Sequence, residues 1–196
     1  MQTTTLSFAN IHNHGELFAN MLRARRELFI VHNKWNLPEA MGMEYDQYDT
    51  PASRWVVVHD ESGKVLAGNR LTPTTHGCGI YSYMIRDAQR GLLETIPAIL
   101  LHDEAPVGEH IWESSRLFVS HDVPAAIRRR VHTQLIMQLG DTVRSLGATH
   151  CLTLLSATWP RWADRVGVKM RAMGPVLLID GIENQVVEMD FSGTRH

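Results

Sequence analysis

Several features that mark whole classes of protein are missing from this chain of 196 residues. Its two cysteines, Cys78 and Cys151, lack the spacing of metal ligands, so we expect both thiols to stay reduced in a cytosolic protein. No apolar run approaches the roughly 20 residues that span a bilayer. The first residues also lack the basic and apolar segments of a secretory signal. We therefore expect no membrane partner.

The chain also lacks a strong charge of either sign and any recognisable metal motif. Its formal net charge of -2 disfavours bulk electrostatic binding to nucleic acid. Eleven histidines are present, but there is no HExxH or paired CxxC motif. Structural zinc normally needs four clustered ligands. The sequence thus predicts neither a nucleic-acid partner nor a metal site.

What remains is an ordinary globular composition with recognisable secondary-structure patterns. Hydrophobic residues make up 44% of the chain and charged residues 20%, without repeats or a flexible linker. We therefore expect one domain over residues 1–196. Apolar spacing predicts a helix over residues 15–32 and a strong helix from about 123 to 146. It predicts strands in "RWVVVHD", "KVLAGNRL", "IWESSRLFV", "HCLTLLS", "PVLLID" and "QVVEMDF".

Three shorter segments complete the expected fold. "GIYSYMI" is interpreted as a strand, residues 89–101 as partly helical, and "WPRWADRVG" as a short helix. The long helix lies between two strands, and a crossover helix of this kind implies a parallel pair within a mixed sheet. The fold class predicted is α/β with one core.

The strand "IWESSRLFV" carries four polar residues in a row, although its ends are apolar. In a regular strand Glu113 and Arg116 point to opposite faces because they are three residues apart. A β-bulge near Ser114 would bring them to one side and splay the sheet. The alternative is an exposed edge strand with a surface ion pair, and the flanking Trp112 and Phe118 argue against full exposure. We expect a functional cleft here, because buried ionisable groups cluster at functional sites.

Other charged and aromatic residues lie in the first half of the chain. "GMEYDQYDTP" contains Glu44, Asp46 and Asp49, which alone would be interpreted as a solvated acidic loop. "GNRLTPTT" places Arg70 among apolar strand residues. Arg25 and Phe29 share one face of the first helix because they are four apart.

Together these pieces resemble the acyl-homoserine lactone synthases, the LuxI-type autoinducer synthases. Arg25-x-x-x-Phe29, Trp35, "MEYDQYDTP", "GNRLTPTT" and "WESSRLFV" occur in that family's order and approximate spacing. The resemblance implies a single-domain, GNAT-like acyltransferase fold, with a mixed twisted sheet splayed at a β-bulge and helices on both faces. Within that domain, residues 1–53 would form an N-terminal helix and a segment that covers the substrate.

The resemblance also implies a reaction. Members of the family transfer an acyl group from acyl carrier protein, or from coenzyme A, to the amine of S-adenosylmethionine, and then close the lactone with release of methylthioadenosine. S-adenosylmethionine is a substrate here, and no cofactor is implied. The residues that the resemblance assigns to its binding are Arg25, Phe29, Trp35, Asp46, Asp49 and Arg70.

The polar strand supplies the expected catalytic residues, Glu113, Arg116 and Ser115. Glu113 is expected to accept the amine proton, directly or through water. Arg116 would hold Glu113 or stabilise charge during acyl transfer. No side chain is needed as a nucleophile, in keeping with Cys151, which we expect to pack as a small hydrophobe.

Two further sets of residues are expected to serve the acyl donor. An apolar pocket for the acyl chain would include Tyr83, Met137, Thr153, Leu155 and Ser156; ordinary core packing is the alternative for its apolar members. Thr153 falls where relatives with 3-oxo substrates often carry a hydroxyl. The basic residues Arg161, Arg165 and Lys169 would steer the acidic carrier protein, although a solvated helix surface explains their charge equally well.

Two other functions remain open at this point. A GNAT-type N-acyltransferase that acts on a different amine would use the thioester and leave S-adenosylmethionine untouched. A non-enzymatic binding protein would tolerate loss of Glu113 or Arg116. The amino-terminal residues assigned above favour the lactone synthase, because a generic acyltransferase has no need of them.

Overall fold

The computed structural model describes residues 1–193, which contain ten β-strands and four α-helices. Residues 194–196 of the predicted domain lie outside the described residues. The strands are β1 Gln2–Leu6, β2 Glu39–Ala40, β3 Met43–Glu44, β4 Arg54–His59, β5 Val65–Pro73, β6 Ile111–Val119, β7 His150–Ser156, β8 Lys169–Ala172, β9 Leu177–Ile179 and β10 Ile182–Asp190. The α-helices are α1 Leu17–Arg26, α2 Met84–Gln89, α3 Ala125–Ser145 and α4 Trp159–Val166.

The described residues group into two compact units, each made from two stretches of chain. Unit one contains Met1–Leu71 and Arg116–Thr142. Unit two contains Thr72–Ser115 and the chain from Val143 onward. Strands β5 and β6 and helix α3 run from one unit into the other, and the prediction of a single domain over residues 1–196 stays a prediction.

Unit one contains a sheet packed against the N-terminal helix, in which β1, β4 and β5 form antiparallel pairs. Its strands lie in the order β1, β4, β5 and the end of β6. Trp55 and Val57 of β4 and Phe118 of β6 are buried against α1, which contributes Leu17, Met21 and Leu22 to the same core. The amphipathic spacing that predicted the first helix therefore reflects its packing on this sheet.

Unit two is a mixed sheet. The start of β6 pairs in parallel with β7, from Ile111 opposite His150 to Glu113 opposite Leu152. Strand β10 follows β7 and is antiparallel to it, and β8 and β9 both pair with β10. The parallel pair connected through the long helix α3 is the arrangement expected from the sequence, and the mixed α/β class is confirmed.

Several local predictions were wrong. The segment "GIYSYMI" is not a strand: it turns through a bridge between Cys78 and Tyr81 and then begins α2 at Met84. Its aromatic and β-branched residues favour a strand locally, but contacts with distant residues override that preference. The segment 89–101, expected to be partly helical, is helical only at Gln89, because α2 ends there and Gly91 takes a left-handed conformation with φ of 74°. The short strands β1, β2, β3 and β8 were missed.

A long irregular segment, residues 91–110, follows α2 and is fastened within unit two. The side-chain amide of Gln89 donates to the Asp103 carbonyl and accepts from the Ala105 N–H, each at 2.8 Å. The backbone of Gly174 lies so close to Leu100 that a Cβ at position 174 would be 2.0 Å from the Leu100 oxygen. Only glycine fits at this position without moving the segment.

We expect Gly174→Ala to lower the free energy of unfolding by roughly 1–3 kcal/mol, the usual cost of forcing an extra carbon into packed structure. Gly77→Ala is the matched control, because a Cβ at position 77 would meet its nearest neighbour at 3.8 Å, an ordinary contact. Denaturant unfolding of the two variants beside the parent chain measures the difference. Equal stability of the two variants would contradict the close approach.

Candidate active site

Six charged side chains of unit one form a closed ring in which positive and negative groups alternate. Each arginine contacts two carboxylates, and each carboxylate contacts two arginines. Around the ring the order is Arg25, Glu44, Arg116, Asp46, Arg70 and Asp49. We refer to it as the six-residue ring. The three carboxylates of the acidic segment, which alone suggested a solvated loop, are therefore almost fully buried and are all paired.

The ring joins the end of α1 to the middle of β5. Arg25 lies in the last turn of α1 and contacts Glu44 at 2.5 Å and Asp49 at 2.8 Å. Arg70, in β5, contacts Asp49 at 3.1 Å and Asp46 at 2.5 Å. The Arg25 guanidinium donates from two nitrogens to the two Asp49 oxygens, a bidentate geometry that lysine cannot reproduce.

Arg116 closes the ring from strand β6. Its Nη2 lies 3.1 Å from Glu44 and 2.9 Å from Asp46. Its φ of 53° is left-handed, which is unusual for a residue with a side chain in a strand. The β-bulge expected near Ser114, which would bring Glu113 and Arg116 to one side, stays a prediction. Arg116 itself has the left-handed backbone, and within unit one it pairs with Glu44 and Asp46.

The segment between β3 and β4 is folded so that its carboxylates face the arginines. The backbone N–H of Asp46 donates to Asp49 and that of Tyr48 donates to Asp46, each at 2.9 Å. The indole N–H of Trp55 also donates to Asp49 at 2.9 Å. These bonds hold the carboxylates of Asp46 and Asp49 in fixed orientations.

The electrostatics of the ring follow from burial and pairing. The Arg70 side chain is fully buried and that of Asp49 is 7% exposed. Burial alone would raise the pKa of Asp49, but the guanidinium groups of Arg70 and Arg25 hold it well below its usual range. Burial also opposes ionisation of Asp46, and there Arg70 and then Arg116 lower the pKa. Both carboxylates are therefore ionised at neutral pH.

Two aromatic residues lie beside the ring. Helix α1 continues as a π-helical segment, Glu27–His32, which carries Phe29. The rings of Phe29 and Trp35 are stacked, with centroids 5.1 Å apart and planes 6° from parallel. The Arg116 guanidinium carbon lies 5.6 Å from the Phe29 centroid, within cation–π range. Phe29 is buried and Trp35 half-buried, so Trp35 is the more accessible of the pair.

Unit two holds the other predicted catalytic residues, Glu113 and Ser115, and both are buried. The carboxylate of Glu113 accepts hydrogen bonds from the backbone N–H groups of Met84, at 3.1 Å, and Ile85, at 2.7 Å. These two residues begin helix α2. The Glu113 carboxylate thus takes the place of a capping side chain at the start of that helix.

The predicted acyl-pocket residues belong to both units. Tyr83 and Thr153 are buried in unit two, whereas Leu155 is half-buried and Ser156 exposed at the end of β7. Met137 belongs to unit one and is 48% exposed on α3. Cys151 is fully buried; burial and then the Glu113 carboxylate raise its pKa, so it packs as a small hydrophobe, as predicted.

The predicted basic patch is exposed. Arg161 and Arg165 lie one turn apart on α4, which begins with Pro160 in its first turn, and Lys169 starts β8. Their side chains are accessible for contact with an acidic partner.

Among residues 1–193, no group of three or more His, Cys, Asp or Glu side chains is arranged to hold a metal ion. In the same range, no helix has the length and apolar character needed to cross a membrane.

Comparison with known proteins supports the resemblance to the autoinducer synthases. The family model described as "Autoinducer synthase" matches residues 9–195. An acyl-homoserine-lactone synthase of Ralstonia solanacearum is 28% identical over 180 residues, which is 87% of this chain and 82% of the relative. One from Vibrio anguillarum is 26% identical over 159 residues, 80% of this chain and 76% of the relative.

Solved structures confirm the fold. TofI in a ternary complex with an inhibitor and MTA superposes with a TM-score of 0.77 at 24% identity, covering 97% of this chain and 92% of TofI. The CoA-dependent acyl-homoserine lactone synthase BjaI, with SAM and isopentyl-CoA, has a TM-score of 0.77 at 21% identity, covering 95% and 82%. An acyl-CoA N-acyltransferase from Pseudomonas aeruginosa has a TM-score of 0.59 at 16% identity, covering 96% and 99%, so the GNAT-like fold is confirmed.

The fold and the family match together define an acyltransferase that makes a signalling molecule. The chain belongs to the autoinducer synthase family. Its activity is that of an acyl-homoserine-lactone synthase.

Sequence reasoning found most of the ring and missed one member. Arg25, Asp46, Asp49 and Arg70 were assigned to the substrate and do lie together. Glu44 was noticed in the same acidic segment but not assigned, although it is completely buried and contacts two arginines. Its position two residues before Asp46, within the motif "MEYDQYDTP", was the feature of the sequence that could have indicated its place in the ring.

We expect Asp49→Asn to lower the free energy of unfolding by about 3–5 kcal/mol, because the buried guanidinium groups of Arg25 and Arg70 each lose one of their two carboxylate partners. The control is Asp122→Asn, which removes an exposed carboxylate 3.6 Å from Lys64 in the same unit. That change should cost less than about 1 kcal/mol. Chemical denaturation of both variants makes the comparison, and a similar small loss for both would contradict the role of the ring.

We also expect the pH dependence of stability to report the ring. The pKa values of Asp46 and Asp49 are lower in the folded chain than in the unfolded chain, so the unfolded chain binds protons first as pH falls. Their contribution is fully present above about pH 5 and is lost progressively below about pH 4. Unfolding measured from pH 7 to pH 3 should show a shallower decline for Asp49→Asn than for the parent chain. Parallel curves would contradict the assignment.

Proposed function

We propose that unit one binds S-adenosylmethionine through the six-residue ring and the Phe29–Trp35 pair. The supporting observation is the ring itself, which holds both signs of charge in fixed positions. The methionine end of the substrate carries an ammonium and a carboxylate, and so needs an acceptor and a donor side by side. The accessible Trp35 suits the sulfonium or the adenine. Solved relatives carry SAM or MTA, in keeping with this acceptor.

The proposed reaction has two steps. The ammonium of S-adenosylmethionine first loses one proton, and the neutral amine nitrogen attacks the thioester carbonyl carbon. The C–N bond forms and the C–S bond breaks, and a second proton passes from the nitrogen to the sulfur, which leaves as the donor thiol. The substrate's carboxylate oxygen then attacks its own γ-carbon, and the bond from that carbon to the sulfonium sulfur breaks. The sulfur keeps the electron pair, and neutral methylthioadenosine leaves as the lactone closes.

The acyl chain is proposed to bind in unit two. Tyr83 and Thr153 are buried there, and we retain them as its contacts. Leu155 and Ser156, at the end of β7, would contact the part of the chain nearer the solvent. Met137 belongs to unit one and is 48% exposed, so it is not included in this pocket. The Thr153 hydroxyl offers a partner for a 3-oxo group, which makes 3-oxo-acyl donors the first to be tried.

The donor carrier is proposed to be acyl carrier protein, with coenzyme A as the alternative. The exposed Arg161, Arg165 and Lys169 fit an acidic protein surface. Of the solved relatives, BjaI is described as CoA-dependent. Both free cysteines, Cys78 and Cys151, suit a reducing compartment, and we propose that the enzyme works in the cytoplasm.

We expect the purified chain to release methylthioadenosine only when S-adenosylmethionine and an acyl thioester are both present. Mass spectrometry of organic extracts should show a homoserine-lactone ion series that identifies the acyl group. Consumption of the thioester without methylthioadenosine would instead support an N-acyltransferase for a different amine. No reaction, with 3-oxo and unsubstituted donors on both carriers, would reject the proposal.

The carrier proposal predicts a selective effect of charge reversal. Arg161→Glu together with Arg165→Glu should raise the KM for acyl carrier protein about tenfold and leave the KM for the matching acyl-CoA unchanged, because only the protein donor is steered by the patch. The effect should shrink at high salt. Arg129→Glu with Arg130→Glu, a second exposed basic pair, is the control. An equal rise for both donors would contradict a carrier-protein surface.

A further inference from the structure

Strand β5 contains a buried hydroxyl group for which residues 1–193 offer no hydrogen-bond partner. It belongs to Thr72, which is only 1% exposed. A hydroxyl that is removed from water without a hydrogen bond destabilises the folded chain, and most buried side-chain polar atoms are therefore paired. A chain that keeps such a group in spite of this cost has another use for it, and a contact with substrate is one such use.

A second threonine close by shows what a satisfied hydroxyl looks like in the same part of the fold. Thr74, which directly follows β5, is also 1% exposed. Its Oγ1 lies 3.0 Å from the Gly108 carbonyl oxygen and 2.8 Å from that of Ile111, and it accepts the Gly108 N–H at 3.1 Å. The Thr74 hydroxyl therefore has a structural role, which joins the end of β5 to the start of β6.

The direction of β6 relative to β5 follows from two backbone hydrogen bonds. The two strands are neighbours in the sheet. In unit two, the N–H of Thr74 donates to the Ile111 carbonyl at 3.3 Å. In unit one, the N–H of Ser120 donates to the Leu66 carbonyl at 2.8 Å. Residue numbers rise along β6 while those of the partners on β5 fall, so the two strands are antiparallel.

This pairing determines which side chain of β6 lies next to Thr72. Each step along an antiparallel pair moves one residue back on one strand and one forward on the other. Counted from the pair Thr74 and Ile111, Thr72 lies opposite Glu113, and both belong to unit two. Opposite residues have side chains on the same face, with Cβ atoms roughly 4.5–5.5 Å apart. The Thr72 side chain is thus beside the carboxylate that is expected to accept the amine proton.

The chemistry of this pair selects the substrate group that fits between them. The Glu113 carboxylate and the Thr72 hydroxyl oxygen are both hydrogen-bond acceptors. The carbonyl oxygen of the thioester and the carboxylate of S-adenosylmethionine are acceptors too, and the Glu113 carboxylate would repel them. The amine of S-adenosylmethionine is an N–H donor, and as an ammonium it carries the opposite charge to Glu113. Of these three groups, only the amine suits both side chains.

We propose that Thr72 contacts the reacting amine: its hydroxyl oxygen accepts a hydrogen bond from one N–H of S-adenosylmethionine and holds the nitrogen beside Glu113. This inference rests on the function proposed above. Of the three ammonium hydrogens, one is lost before attack and one passes to the leaving sulfur. The third stays on nitrogen as the amide N–H of the product, and this is the hydrogen that Thr72 binds.

Thr72 therefore gains and loses no proton in this scheme. Its contact fixes the rotation of the amine, so that the lone pair left by proton loss points at the thioester carbonyl carbon. Thr72 and Glu113 are both buried, so the side chains that cover them must move when the amine binds.

The first test is binding of S-adenosylmethionine, measured by calorimetry on Thr72→Val and the parent chain. Valine keeps the shape of threonine and removes the hydroxyl. We expect the Kd of Thr72→Val to be about tenfold higher, because a hydrogen bond to a charged group is lost. Thr72→Ser, which keeps a hydroxyl, should restore most of the affinity. An analogue with hydrogen in place of the amine should bind equally to Thr72→Val and the parent chain.

The second test separates this role from a structural one. Thr72→Val should unfold at the same denaturant concentration as the parent chain or at a higher one, because it removes a buried hydroxyl that has no partner among residues 1–193. Thr74→Val is the matched control and should unfold at a lower concentration, since it takes the acceptor from the Gly108 N–H. A loss of stability in Thr72→Val equal to that in Thr74→Val would overturn the proposal.

Turnover assigns the contact to one substrate. In assays of methylthioadenosine release, Thr72→Val should lower kcat/KM for S-adenosylmethionine about tenfold and leave the KM for the acyl thioester unchanged. A change in the KM for the thioester alone would place the contact on the acyl group and overturn the inference. Equal binding of S-adenosylmethionine by Thr72→Val and the parent chain would overturn it and leave the proposed function standing. Failure of the parent chain to bind S-adenosylmethionine would reject both.

Discussion

The alternation of charge around the six-residue ring is the constraint on which the rest of unit one depends. Three guanidinium groups and three carboxylates are removed from water together, and each is stabilised by two neighbours of opposite sign. Burial of any one alone would be costly. The end of α1, the segment after β3, the middle of β5 and the end of β6 must therefore reach their places together.

This constraint links stability to the substrate recognition that we propose for the ring. A site for a zwitterion needs donors and acceptors that do not reorient when the substrate arrives, because reorganisation reduces binding energy. In the ring, backbone N–H groups and the Trp55 indole already hold Asp46 and Asp49 in position. The left-handed backbone at Arg116 aims its guanidinium at the same carboxylates. The contacts of the Arg116 guanidinium with Glu44 and Asp46 offset the cost of this left-handed backbone conformation.

Sequence reasoning predicted the elements whose apolar spacing matches the core that they pack against. It failed for elements whose structure is determined by contacts with residues far away in the sequence. Helix α3 and strands β4, β5, β7 and β10 were predicted because their apolar spacing matches the core that they build. Strand β1 was missed, since "QTTTL" has little apolar alternation and is defined by its pairing with β4. The start of α2 was mistaken for a strand, because its capping partner, Glu113, lies far away in the sequence. Ordered motifs indicated the family and included five ring members, Arg116 among them, but no pattern could show that Glu44 joins them or that Arg116 has a left-handed backbone.

The start of helix α2 has a consequence for how such an enzyme can diversify. Helix starts usually restrict the N-cap position to a few small polar residues, and there the sequence has little freedom. Since Glu113 provides the hydrogen bonds from another strand, position 83 is released from that restriction and can carry a side chain chosen for its size and shape. Substitution at this position can then reshape a buried wall while the helix behind it stays in place, which separates the evolution of selectivity from the maintenance of the fold.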